Sequence, residues 1–379
     1  MPQVYFDNAA TTPLRTEVIE SITEVLKNNF GNPSSSHSFG RASKTLVEKS
    51  RKTIAKQLNV EASEIIFTSG GTEADNLVLK SAVKDLGVTH IITSKIEHHA
   101  VLHTVLHLQK DYNIEVSYVD LDENGMVNFK HLESLLHTEA KTLVSLMHIN
   151  NEIGSILDLK QVATLCQENK ALFHTDAVQS VGHYKLDLQD IPVDFLAASA
   201  HKFHGPKGVG FTFIRKNSGL QPIIVGGEQE RGLRAGTENV HNIVGMERAL
   251  NEAYNNFDKD FEDLKGLKFY FIEKIKAEIP EVAFNGDSSN IEGSACAIVN
   301  VRLPLPAEKA SMILFQLDLK GIACSRGSAC QSGSAQKSHV LTEILNETDL
   351  QKPSIRFSFS VFNTQAEIDY VIGVLKSLC

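Results

Sequence analysis

Four short stretches of the 379-residue chain hold the residue types that chemistry needs. In FTSGGTEADN (67–76) an apolar run ends in Ser69, Gly70, Gly71 and Thr72, where backbone amides and a helix start can converge on a phosphate. The GK[ST] ending of a nucleotide-binding loop is missing, and such a glycine turn serves equally as a tight connection. HTDAVQS (174–180) places Asp176 and Gln179 just past a second apolar run, as ligand-binding groups or as a helix cap. SAHKFHGPKG (199–208) does the same with Lys202, flanked by Ser199 and His201. Most lysines are solvated surface charges, but one set among polar groups in a crevice can lose its proton and form a Schiff base. GIACSRGSACQSGS (321–334) displays Cys324 and Cys330 among small residues. That composition predicts a mobile loop rather than the burial usual for a free cysteine.

The elements that must position these residues are legible in the middle of the chain. EIIFT (64–68), HIITS (90–94), EVSYVD (115–120), TLVSLMH (142–148), ALFHTD (171–176), DFLAAS (194–199) and GVGFTFI (208–214) read as strands. Between them EADNLVLKSAVKDL, HAVLHTVLHLQKD and LKQVATLCQEN carry apolar residues at helical spacing. The alternation predicts an α/β fold, a mostly parallel seven-stranded sheet with helices on both faces. Beyond it a charged helical run, KDFEDLKGLKFYFIEKIKAEI, leads to strands near CAIVNVRL and SIRFSFS. At about 150 residues per domain two units are expected. The first is a large one over 15–257; the second is a smaller α+β one over 258–379, joined by residues 1–14 and carrying the cysteine loop.

Composition narrows the function classes. The chain has 37 basic and 46 acidic side chains, a formal charge of −9, so no overall electrostatic footprint for nucleic acid or an anionic membrane is expected. Five scattered cysteines without a CxxC pair predict reduced thiols rather than a disulfide framework or a zinc site, and no metal is expected. MPQVYFDNAATTPL lacks the basic and apolar regions of a leader, and no apolar run nears the roughly 18 residues of a membrane span. A cytoplasmic protein is the expectation.

Together the three strand ends supply a phosphate cradle, a carboxylate and an amine, the set that pyridoxal phosphate requires. Ten motifs in chain order also resemble the cysteine desulfurases, class V members of the fold-type I pyridoxal phosphate enzymes. They are YFDNAATTP, FGNPSSSHSFGR, FTSGGTEADNL, SKIEHHAVL, HINNEIG, HTDAVQSVG, SAHKFHGPKG, RGLRAGTEN, GSACQSGS and SIRFSFS. The resemblance implies that Lys202 holds the cofactor covalently, Asp176 pairs with its pyridine nitrogen, and Gln179 and Asn151 hold its phenolic side. It gives the phosphate to Gly71, Thr72, Ser199 and His201, with Thr237 reaching it from the partner of a homodimer. His98 is implied as the stacking and proton-transfer residue, its neighbour His99 as structural. Arg356 is implied as the clamp on the substrate carboxylate, with Asn32 nearby; an arginine inside an apolar strand also reads as one half of a structural ion pair.

The thiols then acquire a purpose. The resemblance implies that Cys330 takes sulfur from L-cysteine as a persulfide, releases alanine, and passes the sulfur to an acceptor protein of iron–sulfur cluster or thio-cofactor biosynthesis. It points to the branch with a long mobile cysteine loop. Selenocysteine lyase or aminotransferase activity is the alternative on the same fold. Cys324 reads as a bystander, a second carrier or a disulfide partner, Cys166 and Cys296 as core residues, and the terminal Cys379 as incidental. GGEQERG and FSFSVFN depart from the usual family text, and the chain stops at Cys379, short of the tail with which housekeeping members dock a scaffold.

Overall fold

The computed structural model describes residues 2–327 and 338–379. After a short β1 (Val4–Tyr5), the large sheet is built from β2 (Ile65–Thr68), β3 (His90–Thr93), β4 (Glu115–Tyr118), β5 (Thr142–Ser145), β6 (Leu172–Asp176), β7 (Phe195–Ser199) and β8 (Gly210–Ile214). Their spatial order is β2-β8-β7-β6-β5-β3-β4. β8 runs against both of its neighbours, and the remaining pairings are parallel. All seven expected strands are present, each one to three residues shorter than expected. Glu64 turns back on its own helical turn, its carboxylate taking the Glu61 amide at 2.9 Å, and Gly208 sits at φ +76°, so β8 begins only at Gly210.

The strands are apolar on both faces because helices cover both. Along β2, Ile65 and Phe67 join a core with α1 (Thr16–Asn28), α2 (Ser38–Gln57), α5 (Phe129–Leu136), α6 (Leu159–Glu168) and α7 (Val240–Asn255). Ile66, between them, faces α3 (Gly71–Lys84) and α4 (His99–Tyr112). The same alternation separates Ile91 from Ile92 and Leu143 from Val144. Two-faced burial is what turns strand text into continuous apolar runs.

A second core gathers α8 (Phe257–Glu278), α12 (Gln365–Leu378) and the antiparallel sheet β12-β10-β9, formed by β9 (Ala283–Phe284), β10 (Ile298–Arg302) and β12 (Ser354–Ser358). Its other elements are α9 (Ile313–Asp318), β11 (Ile322–Ala323), α10 (His339–Ile344) and α11 (Glu347–Gln351). Val4 and Phe6 belong to this core, and β1 pairs with β11 in parallel. Residues near the amino terminus are thus packed against the last third of the chain. Asn256 is the break between α7 and α8. No described helix is long and apolar enough to cross a membrane.

Candidate active site

Because β8 alone is reversed, β2, β3, β5, β6 and β7 all end on one edge of the sheet, where α/β folds bind ligands. A cavity opens there, and Lys202, Asp176, Gln179, Asn151, Gly71, Thr72, Ser199, His201, His98 and Arg356 all line it. Ten positions expected from the sequence therefore meet around one space. Asn32 and Thr237 do not. Both are exposed on the same chain, Asn32 with its Oδ1 on the Ser34 amide at 2.9 Å, and Thr237 beside Arg234 and Asn239. Cys330 lies outside the described residues.

Lys202 ends a single helical turn, Ala200–Lys202, that follows β7 directly. Its backbone is held on both sides: its carbonyl meets His183 Nε2 at 2.9 Å, and the neighbouring His201 carbonyl takes the Thr12 amide at 2.9 Å. Two residues on, His204 adopts φ +65°. That conformation is costly for a residue with a Cβ. It is offset by two bonds, the His204 amide to Thr12 Oγ1 and His204 Nδ1 to the Pro13 carbonyl, both 2.8 Å. The Lys202 side chain, so aimed, donates to the carbonyls of Ala9 (2.6 Å) and Ala10 (2.9 Å). Gln179 donates to the same Ala9 carbonyl at 2.9 Å.

Asp176, the last residue of β6, is 5 % exposed and takes the Val178 amide on Oδ1 at 2.9 Å. No helix starts there, so the bond closes a turn instead of capping a helix, and Asp176 lines the cavity. Burial pushes its carboxyl up to about 6, while the Val178 amide and the Lys202 ammonium hold it from rising further. At neutral pH it is an anion. His98 caps α4, its Nδ1 accepting the Ala100 amide at 3.1 Å. A ring whose Nδ1 accepts carries its proton on Nε2. Burial first, then Lys202, lowers it to about 4, so it is neutral at pH 7.

At the α3 end, Ala74 makes the first intrahelical bond, to the Gly70 carbonyl at 3.1 Å. The Gly71 and Thr72 amides precede it and point outward. Gly70 needs its glycine, with φ at +149°. A Cβ at 71 would lie 2.6 Å from Val178 Cγ2, so any side chain there would have to push Val178 aside. The amides, the Asp176 anion and the Lys202 amine fit pyridoxal phosphate.

Arg356 reaches the cavity from β12 and is 1 % exposed. The ion pair that the sequence allowed is present. Nη2 pairs with Asp7 Oδ1 at 2.7 Å and Nη1 meets the Asn151 carbonyl at 2.8 Å, but Nε is buried without a hydrogen-bond partner. Asp7 is the residue the sequence reading missed. YFDNAATTP signalled it as a motif, yet its partner lies 349 residues away. Ala9 and Ala10, acting through carbonyls, leave no side-chain signal. Among the thiols, Cys166 and Cys296 are buried as expected. Cys324 is half-buried, and burial first, then the charge of Asp7, pushes its thiol well above the usual range. This makes it a poor thiolate.

Residues 4–371 match the aminotransferase class-V family. A cysteine desulfurase IscS of Dictyoglomus turgidum is 43 % identical over 378 residues, covering 99 % of this chain and 94 % of the relative. A solved NifS-like protein superposes with a TM-score of 0.90 at 35 % identity, covering 100 % of this chain and 99 % of that one. An SspA solved in complex with cysteine gives a TM-score of 0.82 at 32 % identity over 96 % of this chain and 100 % of that one. With the cradle, the anion, the lysine and the arginine at one sheet edge, and relatives matched along nearly its whole length, this chain belongs to the aminotransferase class-V family, among its cysteine desulfurases.

Proposed function

We propose that this chain acts as a pyridoxal phosphate-dependent cysteine desulfurase, taking sulfur from L-cysteine onto Cys330 and releasing alanine. The observation that carries the reading is the convergence of Lys202, Asp176, His98 and Arg356 on one cavity at the carboxyl ends of parallel strands. Pyridoxal phosphate, when bound, supplies the electron sink that weakens bonds at the substrate's α and β carbons.

The remaining work falls to the chain's own residues. Lys202, aimed by the Ala9 and Ala10 carbonyls, holds the cofactor and competes with the substrate amine for it. Asp176 carries the negative charge opposite the pyridine nitrogen. Gln179 and Asn151 steady the phenolic side. Gly71, Thr72, Ser199 and His201 surround the phosphate end, and burial holds His201 at about 4, so it meets the phosphate as a neutral donor. Arg356, its fork set by Asp7 and the Asn151 carbonyl, offers its bare Nε–H edge to the substrate carboxylate. Neutral His98 moves a proton at Nε2.

We assign Asn32 to the carboxylate end and Thr237 to the site of a partner subunit in a homodimer; the exposure of Thr237 on its own chain supports this. We read residues 15–257 and 258–379 with 1–14 as two units, supported by the separate cores and the break at Asn256. Cytoplasmic location and delivery of sulfur to an acceptor protein of iron–sulfur cluster assembly belong to the same reading.

The test is to incubate purified protein with L-cysteine, pyridoxal phosphate and a reductant. Alanine and sulfide are expected in equal amounts, and Cys330 gains the mass of one sulfur after brief exposure without reductant. Unequal products, or sulfur gained elsewhere, would overturn the proposal.

A further inference from the structure

Behind Asp176 the protein buries more ionisable groups than the reaction uses. Asp75, in the second turn of α3, is 1 % exposed and lines the same cavity. His174, two residues before Asp176 on β6, is fully buried; strand alternation puts the two on one face. His174 Nδ1 meets Ser145 Oγ at 2.9 Å, and Nε2 lies 3.4 Å from Asp75 Oδ1, two atoms for which no hydrogen bond is formed. Glu97 completes the group, its Oε1 taking Ser94 Oγ at 2.8 Å and the Met147 amide at 3.1 Å, its Oε2 bare.

Three buried carboxyls thus share a region in which the cation bearing on Asp176 is Lys202. One ammonium neutralises one of them. Ionising a second in the same low-dielectric space costs more than leaving its proton in place. Asp176 is the member that accepts an amide bond and feels Lys202, so it is the one stabilised as an anion. Asp75 accepts neither.

We propose that Asp75 is a positioning residue held as a neutral acid, its O–H directed at His174 Nε2, so that Asp176 remains the single ionised carboxylate facing the cavity. His174 then keeps its proton on Nδ1, donates to Ser145 Oγ, and the two unmade positions satisfy each other after a small closing rotation. Burial, then the charges of Asp176 and Glu97, raises Asp75 well above the carboxylate range, and burial lowers His174 to about 3. Both directions agree with a neutral pair. The functional meaning rests on reading Asp176 as the cofactor's acid, while the protonation state does not.

Infrared difference spectra of the holoenzyme at neutral pH, in H₂O and D₂O, test it. A protonated carboxylic acid band, shifted by deuterium, is expected to disappear in Asp75→Asn while a separate band disappears in Glu97→Gln. Nitrogen-15 shifts of His174 in the unmutated protein are expected to report the Nδ1–H tautomer. Absence of the Asp75 band, or an Nε2–H tautomer, overturns the proposal, and the histidine measurement decides alone if Asp75→Asn fails to fold. Loss of desulfurase activity would not change either spectrum, so failure of the functional reading stays distinguishable.

Discussion

Replacing Glu97 by glutamine exchanges a carboxyl for an amide of nearly the same shape at a position 1 % exposed. The amide oxygen can still accept the Ser94 hydroxyl and the Met147 amide. What changes is the proton. Burial raises the Glu97 carboxyl from the ordinary 4.5 to about 8, against the two hydrogen bonds, which lower it, and with a further push from Asp176. The folded protein therefore binds this proton more tightly than the unfolded chain does. Its contribution to stability is fully present below pH 4.5, falls as pH rises toward 8, and is gone above that. At about 1.4 kcal/mol per pH unit, the span from 4.5 to about 8 corresponds to a loss of about 5 kcal/mol. This is a ceiling, because relaxation and water entry soften the burial of a charge.

Glutamine has no proton to lose over that range. Buried histidines lowered by burial, such as His148 and His174, titrate in both proteins with the opposite sign, gaining stability as pH rises toward 6.5 from about 4 and about 3 respectively. The difference between the two proteins isolates Glu97. Urea unfolding of the unmutated chain and Glu97→Gln at several pH values from 5 to 8.5 is the assay. The two are expected to agree near pH 5, and the variant to be more stable by several kcal/mol at pH 8. Parallel curves across the range would refute the reasoning, for they would mean that the carboxyl is already ionised and solvated at pH 5.

Three further outcomes are expected. Arg356→Lys removes the planar fork and should raise KM for L-cysteine about 10- to 100-fold, the equivalent of one charge-assisted hydrogen bond, with kcat less affected; steady-state kinetics check this. Glu230→Ala strips the bidentate partner from buried Arg51 (2.6 and 2.8 Å) and the acceptor from the Phe67 amide, and should cost about 3–5 kcal/mol in urea unfolding. Cys324→Ser should leave alanine formation close to that of the unmutated chain, and iodoacetamide at pH 8 should alkylate Cys324 slowly. Rapid alkylation would contradict the raised thiol.

The sheet was legible because its strands are apolar on both faces and its site residues follow strand ends directly. Ser199 and Asp176 are themselves last residues of strands. What was not legible depends on pairings between remote segments. Nothing in GVGFTFI announces that β8 runs backwards, yet that reversal puts β2 in parallel with β7 and brings the α3 cradle to the common edge. GGEQERG reads as a departure from the family text, but Glu230 and Arg231 take left-handed φ of 50° and 58°, and the turn delivers Glu230 to Arg51. Asp75, Glu97 and His174 look like a helix acid, a loop acid and a strand histidine until the fold buries them behind one carboxylate.

The stretch from Asp7 to Thr12 accounts for how two cores can share one site. Phe6 anchors it in the second core, and Thr12 is bonded to the Lys202 turn. Between these ends it hands an acid to Arg356 and two carbonyls to Lys202. Both cations of the cavity are thus oriented by one turn-containing segment of six residues. Arg356 and Asp7 form a net neutral pair, and the charge of Lys202 acts on Asp176 across the cavity, so positive and negative groups offset one another in its walls. A shift of the second core relative to the sheet would move Arg356 and this segment together, since Ser358 also takes the Ala9 amide at 2.8 Å. The separation of the Arg356 guanidinium from the Lys202 amine is then set by hydrogen bonds to this one segment rather than by the reach of two flexible side chains alone, which is the condition for holding reacting atoms in line.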